Sequence, residues 1–234
     1  MKTIIGFLVA FLLICTITPA KSFPFYQDIT SRGPGINSEK DTSIYSFPVE
    51  RDTSFNQINT KLKAAAARLR LKVAMARQYC TVNDFNTDIC FMVDMSIPSG
   101  KNRFFVYNLA KDSIEFTALV SHGSGSYKPN CDDQLVFSNM PNSNATSLGR
   151  YKIGASYHGT YGLSYKLYGL DSTNNLAFER AIVLHADRYV PEKETYPYHI
   201  FESSGCPTVS PSFLSVLGKY VNTSKKPMLL WVYN

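Results

Sequence analysis

The stretch from Ile89 to Val120 reads ICFMVDMSIPSGKNRFFVYNLAKDSIEFTALV, and its pattern decides the fold class. Three short apolar or alternating runs, Ile89 to Met95, Arg103 to Leu109 and Ile114 to Val120, are separated by Pro98-Ser99-Gly100 and Lys111-Asp112-Ser113. Runs of this length, bounded by turn formers, predict successive antiparallel strands. Further strand candidates follow at Gly149 to Ile153, Leu163 to Leu167, Ala181 to His185 and Met228 to Tyr233. The 15 Tyr and 15 Phe among 234 residues agree with a β-rich body. The expected class is mainly β with a few short helices.

Working outward, the strong helical signal lies upstream, from about Ser54 to Gln78. Ile58, Leu62, Ala65, Ala66, Leu69, Val73 and Ala76 recur at helical spacing, with Lys61, Lys63, Arg68, Arg70 and Lys72 on the remaining faces. This is the pattern of an amphipathic helix packed on a domain. A second helix is expected after Ser210-Pro211, running through Phe213, Leu214, Val216 and Leu217 to Gly218. Ser210 is a good N-cap and Pro211 suits the first turn.

Residues 23 to about 50 are rich in Ser, Pro, Gly and Asp with little periodicity, a composition that reads as a linker or wrapped extension. Before them, Met1-Lys2 precedes an apolar run from Ile4 to Ile17, and Thr18-Pro19-Ala20 or Ala20-Lys21-Ser22 supplies small residues for cleavage. That order predicts a secretory signal peptide whose apolar run is short for a membrane span, so no stable membrane insertion is expected after cleavage. The expected organisation is a signal peptide over 1–22, an N-terminal extension over 23–86 with its helix at about 54–78, and the β-rich domain over 87–234. The formal charge is +6, falling to +5 when the segment through Ala20, with its single lysine, is removed. A modest positive balance suits anionic surfaces such as cell-wall polymers. The basic residues are scattered, and no interleaved basic and aromatic patch points to nucleic acid.

Four cysteines remain in the processed chain: Cys80, Cys90, Cys131 and Cys206. An oxidising compartment permits disulfides, and four cysteines pair completely in three ways. Cys80 and Cys90 bracket the polar turn Asn83-Asp84-Phe85-Asn86 and form one candidate pair. Cys206 either joins such a pair or stays free. Its setting, Ser203-Ser204-Gly205-Cys206-Pro207, favours chemistry. Gly205 lets the backbone turn sharply and expose the sulfur, amides around Ser204 to Cys206 can face a developing oxyanion, and Pro207 stiffens the exit.

A thiol nucleophile needs a base. His185 ends the apolar run Ala181-Ile182-Val183-Leu184-His185 and is the leading candidate. Asp187 shares its strand face and is one orienting group for the ring; the backbone carbonyl of Ala186 is the other. Rival histidines are His199 in a Tyr-Pro-Tyr-His loop, His122 in Ser121-His122-Gly123-Ser124-Gly125, and His158 beside Gly159. No pair of His or Cys residues shows metal-ligand spacing on one element.

At these residues the chain resembles the catalytic domain of the murein L,D-transpeptidases. The blocks that carry the likeness occur in order: Ser121 to Gly125, Phe137-Ser138-Asn139, Ser147-Leu148-Gly149-Arg150-Tyr151, Gly162-Leu163-Ser164, Arg180 to His185, and Ser204-Gly205-Cys206-Pro207. Met92 to Met95 and Phe104 to Tyr107 resemble the family's first strands, so the likeness runs from about Ile89 to the C-terminus. The Ser-x-Gly-Cys-Pro form matches a branch seen among secreted bacterial proteins. The resemblance implies a β-sandwich or barrel of the L,D-transpeptidase type preceded by the amphipathic helix. It implies Cys206 as nucleophile, His185 as base, Ala186 as the carbonyl that holds the ring, and Gly205 as an oxyanion donor beside Cys206.

His122, Ser204, Arg150, Arg180 and Tyr151 become candidate substrate contacts. Better-known members carry a second His before Gly-Cys and a hydrophobic-Arg pair after it. Here Ser204 and Pro207-Thr208 stand at those positions, and Arg150 or Arg180 is the candidate replacement for the missing Arg. The implied reaction is acyl transfer on peptidoglycan peptide stems in the cell envelope, with no metal or organic cofactor. An L,D-carboxypeptidase and a wall-binding protein without turnover are the alternatives.

Overall fold

The structure is a computed structural model that describes residues 53–127 and 134–234, with side chains from residue 59 onward. The expected signal peptide, most of the expected extension, and Cys131 lie outside the described residues. One compact unit covers Glu50–Asn234.

The chain order is α1 (Thr53–Val82), β1 (Ile89–Asp94), β2 (Phe104–Asn108), β3 (Ser113–Ala118), β4 (Gly149–Gly159), β5 (Gly162–Gly169), β6 (Val183–Ala186), β7 (Thr208–Val209), α2 (Pro211–Thr223) and β8 (Met228–Tyr233), with a short 3-10 turn at Ser124–Ser126. All eight strands join one sheet in the order β3-β2-β1-β8-β4-β5-β6-β7. The expectation of a mainly β protein holds. The three successive antiparallel strands expected between Ile89 and Val120 form as β1, β2 and β3, while β8 lies parallel to β1 and β7 lies parallel to β6.

The central position of β1 and β8 follows from their composition. Every residue of Ile89–Asp94 and Met228–Tyr233 is buried, so both faces of these strands are covered, as near-continuous apolar runs require. Alternation divides them between two cores. Ile89, Phe91, Val93, Met228, Leu230 and Val232 face the core shared with α2, while Cys90, Met92, Leu229, Trp231 and Tyr233 face the core shared with α1. Strand β3 is largely exposed, as its edge position allows.

Helix α1 outruns the expected 54–78 at its C-terminal end and buries a narrower stripe. Leu69, Val73, Ala76 and Cys80 pack against the sheet, whereas Leu62 is exposed. The buried set follows the i, i+4, i+7, i+11 rule of one helix face. Arg68 reaches the buried Asp94 at 3.0 Å and pins the helix to the end of β1. Cys80 and Cys90, the candidate disulfide pair, are both free and buried in this core. Helix α2 starts where its cap signal places it: Ser210 Oγ accepts from the Phe213 amide at 3.3 Å. It runs past Gly218 to Thr223 and seats Phe213, Leu214 and Leu217 in the other core.

Candidate active site

Strands β6 and β7 build the site. Their parallel register sets His185 opposite Thr208, so the two side chains share a face of the sheet. Period-two alternation then places Cys206, two residues before Thr208, on the approach to that same edge.

The turn before β7 is tightly specified. Ser203 receives one bond from the Gly205 amide at 3.1 Å and donates its hydroxyl to the Cys206 carbonyl at 2.7 Å. Its own amide donates to the His122 carbonyl at 2.8 Å. Gly205 has φ +111°, and a Cβ there would stand 2.9 Å from the Ala145 carbonyl oxygen. Both facts require glycine. Gly123 is needed for closeness instead: a Cβ there would meet the Asn144 carbonyl oxygen at 2.1 Å and the Gly205 Cα at 2.7 Å. The Ser121–Gly125 segment and the cysteine turn therefore touch backbone to backbone.

His185 Nδ1 lies 3.1 Å from the Ala186 carbonyl oxygen. A carbonyl only accepts, so Nδ1 carries the hydrogen and the neutral ring offers Nε2 as an acceptor. Of the two orienting groups considered from sequence, the Ala186 carbonyl makes this bond, while Asp187 Oδ1 accepts from the Tyr189 amide. Nε2 lies 3.0 Å from Thr208 Oγ1, which donates to it. Tyr161, at the tip of the β4–β5 hairpin, stacks on the imidazole with centroids 4.4 Å apart and planes at 26°. Burial pulls the His185 pKa below the ordinary imidazole value, opposed by the Ala186 carbonyl and Asp187.

Cys206 Sγ accepts from the Val183 amide at 3.5 Å and points at the Ala181 carbonyl at 3.9 Å. Burial pushes its thiol pKa up, against the Val183 amide and the Arg180 charge. The resting site thus holds a neutral thiol and a neutral imidazole. Each has its own partner, with no hydrogen bond between them in this conformation.

The remaining candidates separate. Arg180 stands behind the turn, with Nη2 3.3 Å from a Cβ built at Gly205. It donates to the carbonyls of Ser138 at 2.9 Å and Ala145 at 2.6 Å, so its donors hold loops together. Tyr151 is 2% exposed. Its hydroxyl is bonded to Ser147, making it floor rather than an open contact. Ser204 is exposed at the mouth of the turn. Arg150 is corrected as a candidate substrate contact at this site. It bonds Asp171 and lies over the rings of Tyr79 and Trp231, on the α1 face of the sheet. A strand residue adjacent to Tyr151 must point to the opposite face.

His122 is buried beside the turn. Its Nδ1 accepts from Arg103 Nη2 at 3.0 Å. Of the rivals, His199 lies by Ser99 at 3.3 Å and His158 is exposed on β4. Sequence reasoning missed Thr208, Tyr161 and Arg103. Thr208 alone had a signal, its period-two relation to Cys206. The other two reach the site through pairings between distant segments.

Among the described residues no helix is long and apolar enough to cross a membrane. A family model described as the L,D-transpeptidase catalytic domain matches residues 60–233. No curated protein matches. Solved structures with partial likeness include the helical cell shape determining protein of Campylobacter jejuni, at 12% identity and TM-score 0.41, covering 63% of this chain and 48% of that one. An Enterococcus faecium L,D-transpeptidase gives 14% identity and TM-score 0.36 over 62% and 50%. One from Mycobacterium tuberculosis gives 12% and 0.33 over 63% and 58%. The chain spans about half the length of the first two, and at these scores the assignment rests on the family model. That model covers most of the chain, including the greater part of α1, all of α2, the eight strands and the Cys206–His185 edge, and the chain belongs to the L,D-transpeptidase catalytic domain family.

Proposed function

We propose that this protein is a cysteine-dependent L,D-transpeptidase of the cell envelope that acts on peptidoglycan tetrapeptide stems through a Cys206 thioester. The observation that supports this most is the tautomer of His185. With Nδ1–H held by Ala186, Nε2 keeps its lone pair as an acceptor on the sheet edge next to the Cys206 turn, where the Thr208 hydroxyl now donates to it.

In this reading Cys206 rotates away from the Val183 amide, and His185 Nε2 takes the thiol proton as sulfur attacks the amide after the L-centre of diaminopimelate. The Cys206 amide stabilises the oxyanion, since the Gly205 amide is engaged by Ser203. His185 returns the proton to the leaving D-alanine amine, and a thioester remains. The side-chain amine of a second stem attacks that thioester, forming the 3-3 amide cross-link and restoring the thiol. Water in place of the amine gives the L,D-carboxypeptidase reaction. The signal-peptide reading places this chemistry outside the cytoplasmic membrane.

The test is incubation with a disaccharide-tetrapeptide, with products read by mass spectrometry and Cys206→Ala as control. A cross-linked dimer lacking one D-alanine is expected. Tripeptide alone supports the carboxypeptidase instead. Unchanged substrate with retained binding overturns both in favour of a wall-binding protein.

A further inference from the structure

A cavity of about 270 Å³ opens beside the cysteine turn, lined by Ser99, Arg103, His122, Tyr127, His199 and Glu202 among others. It contains a buried hydrogen-bond donor with no partner among the described residues. Arg103 Nη2 can only donate, so its 3.0 Å contact fixes His122 Nδ1 as the acceptor and leaves the hydrogen on Nε2. His122 is 4% exposed, and among the described residues Nε2 has no hydrogen-bond partner. The Glu202 carboxylate stands 3.7 Å from it, beyond hydrogen-bond reach. Burial and the Arg103 charge hold the His122 pKa at about 3, so this separation is not an ion pair near neutral pH.

The second observation is Arg103 itself. It is 1% exposed, yet its partners are the carbonyls of Val120 and Ile97 and the neutral His122. Asp94 is committed to Arg68. Among the described residues no carboxylate lies in direct contact with this guanidinium. A buried cation without a contacting anion is costly and is normally paired. The cavity wall thus carries one positive charge and one free N–H. Its rim carries one exposed carboxylate, Glu202.

We propose that this cavity is a subsite for a free α-amino-carboxylate head group. The carboxylate accepts from His122 Nε2–H in the field of Arg103, and the ammonium pairs with Glu202. The volume suits a head group rather than a whole ligand. The cavity abuts the nucleophile turn because Glu202 precedes Ser203 in the chain and the Ser203 amide and hydroxyl bond the His122 carbonyl. The parent molecule rests on the proposed function: a peptide stem whose diaminopimelate side chain ends in such a group.

The binding test needs no turnover. The protein, labelled with 15N at histidine, is titrated with D-alanine, N-acetyl-D-alanine and D-alaninamide. The His122 ring signals are followed, and isothermal titration calorimetry reads binding in every variant, including those that lack His122. D-alanine is expected to bind at least ~10-fold more tightly than either derivative, each of which lacks one charged partner. His122→Phe abolishes the binding. Glu202→Gln, a change at the exposed rim that spares the core, brings D-alanine down to the level of N-acetyl-D-alanine. Equal binding of D-alanine and its N-acetyl form to the unaltered protein overturns the proposal. So does D-alanine binding that survives His122→Phe, or an absence of shifts that leaves water alone in the cavity. Cys206→Ala must bind D-alanine like the unaltered protein. Binding without acyl transfer from the tetrapeptide would keep the subsite and discard the transpeptidase, while transfer without binding would do the reverse.

Discussion

Thr208 Oγ1 lies 3.0 Å from His185 Nε2 and 3.3 Å from the carbonyl oxygen of Cys206. One hydroxyl therefore touches both the proposed base and the backbone of the proposed nucleophile. It donates to the neutral imidazole. When Nε2 gains a proton, the same oxygen accepts from it and the hydroxyl hydrogen turns to the Cys206 carbonyl.

That exchange makes Thr208 a positioning residue with a measurable signature. Thr208→Val leaves the buried imidazolium without an acceptor. A hydrogen bond to a charged group is worth more than one to its neutral form, so the His185 pKa falls further. The acid limb of kcat/KM is expected to move to lower pH, with kcat reduced about 10- to 100-fold. Thr208→Ser should restore both. A Val variant with an unchanged pH profile would show that the contact only fills space.

Gly205 sits at φ +111° with the Ala145 carbonyl in the path of any Cβ. Gly205→Ala is expected to cost about 1–3 kcal/mol of stability from backbone strain alone. It should also lower the alkylation rate of Cys206 in the folded protein. Calorimetry and iodoacetamide kinetics measure the two. A variant as stable and as reactive as the parent would mean that the turn relaxes freely.

Tyr161 is 56% exposed and stacked on His185. Tyr161→Phe keeps the stack and is expected to behave as the parent. Tyr161→Ala removes an interaction worth about 0.5–1.5 kcal/mol and should lower kcat/KM about 2- to 10-fold with little change in Tm. Equal loss in both variants would shift the role from the ring to the hydroxyl.

Acid sensitivity follows from the two buried histidines. His122 has its pKa lowered from 6.5 to about 3, and that of His185 is lowered as well. Between those values the unfolded chain binds protons that the folded protein refuses. Stability contributed by the neutral forms is complete above about pH 6.5 and is lost as pH falls towards 3. Urea midpoints measured across that range should fall steadily. His122→Asn, which keeps an acceptor for Arg103 but does not titrate there, should flatten the slope. An unchanged slope would assign the acid sensitivity to other groups.

Much of this molecule is written locally. The apolar runs at Ile89–Asp94 and Met228–Tyr233 declare buried strands, and Ser210-Pro211 declares a helix start. The order of small-residue blocks marks out the Cys206 turn and His185 as the candidate site. These features depend on neighbours a few residues apart, and sequence by itself determines them. The tertiary structure alone decided what depends on long-range pairing. It set β8 beside β1 and β7 beside β6, which brought Thr208 to His185 and made it part of the site. It turned Arg150 to the α1 face, because adjacent strand residues oppose one another and Tyr151 was needed in the core. It also buried Arg103 against His122, 19 residues on. A side chain's residue type limits its chemistry. Which partner it meets is set by the packing of distant segments, where burial and hydrogen-bond satisfaction choose among arrangements that local sequence leaves equivalent.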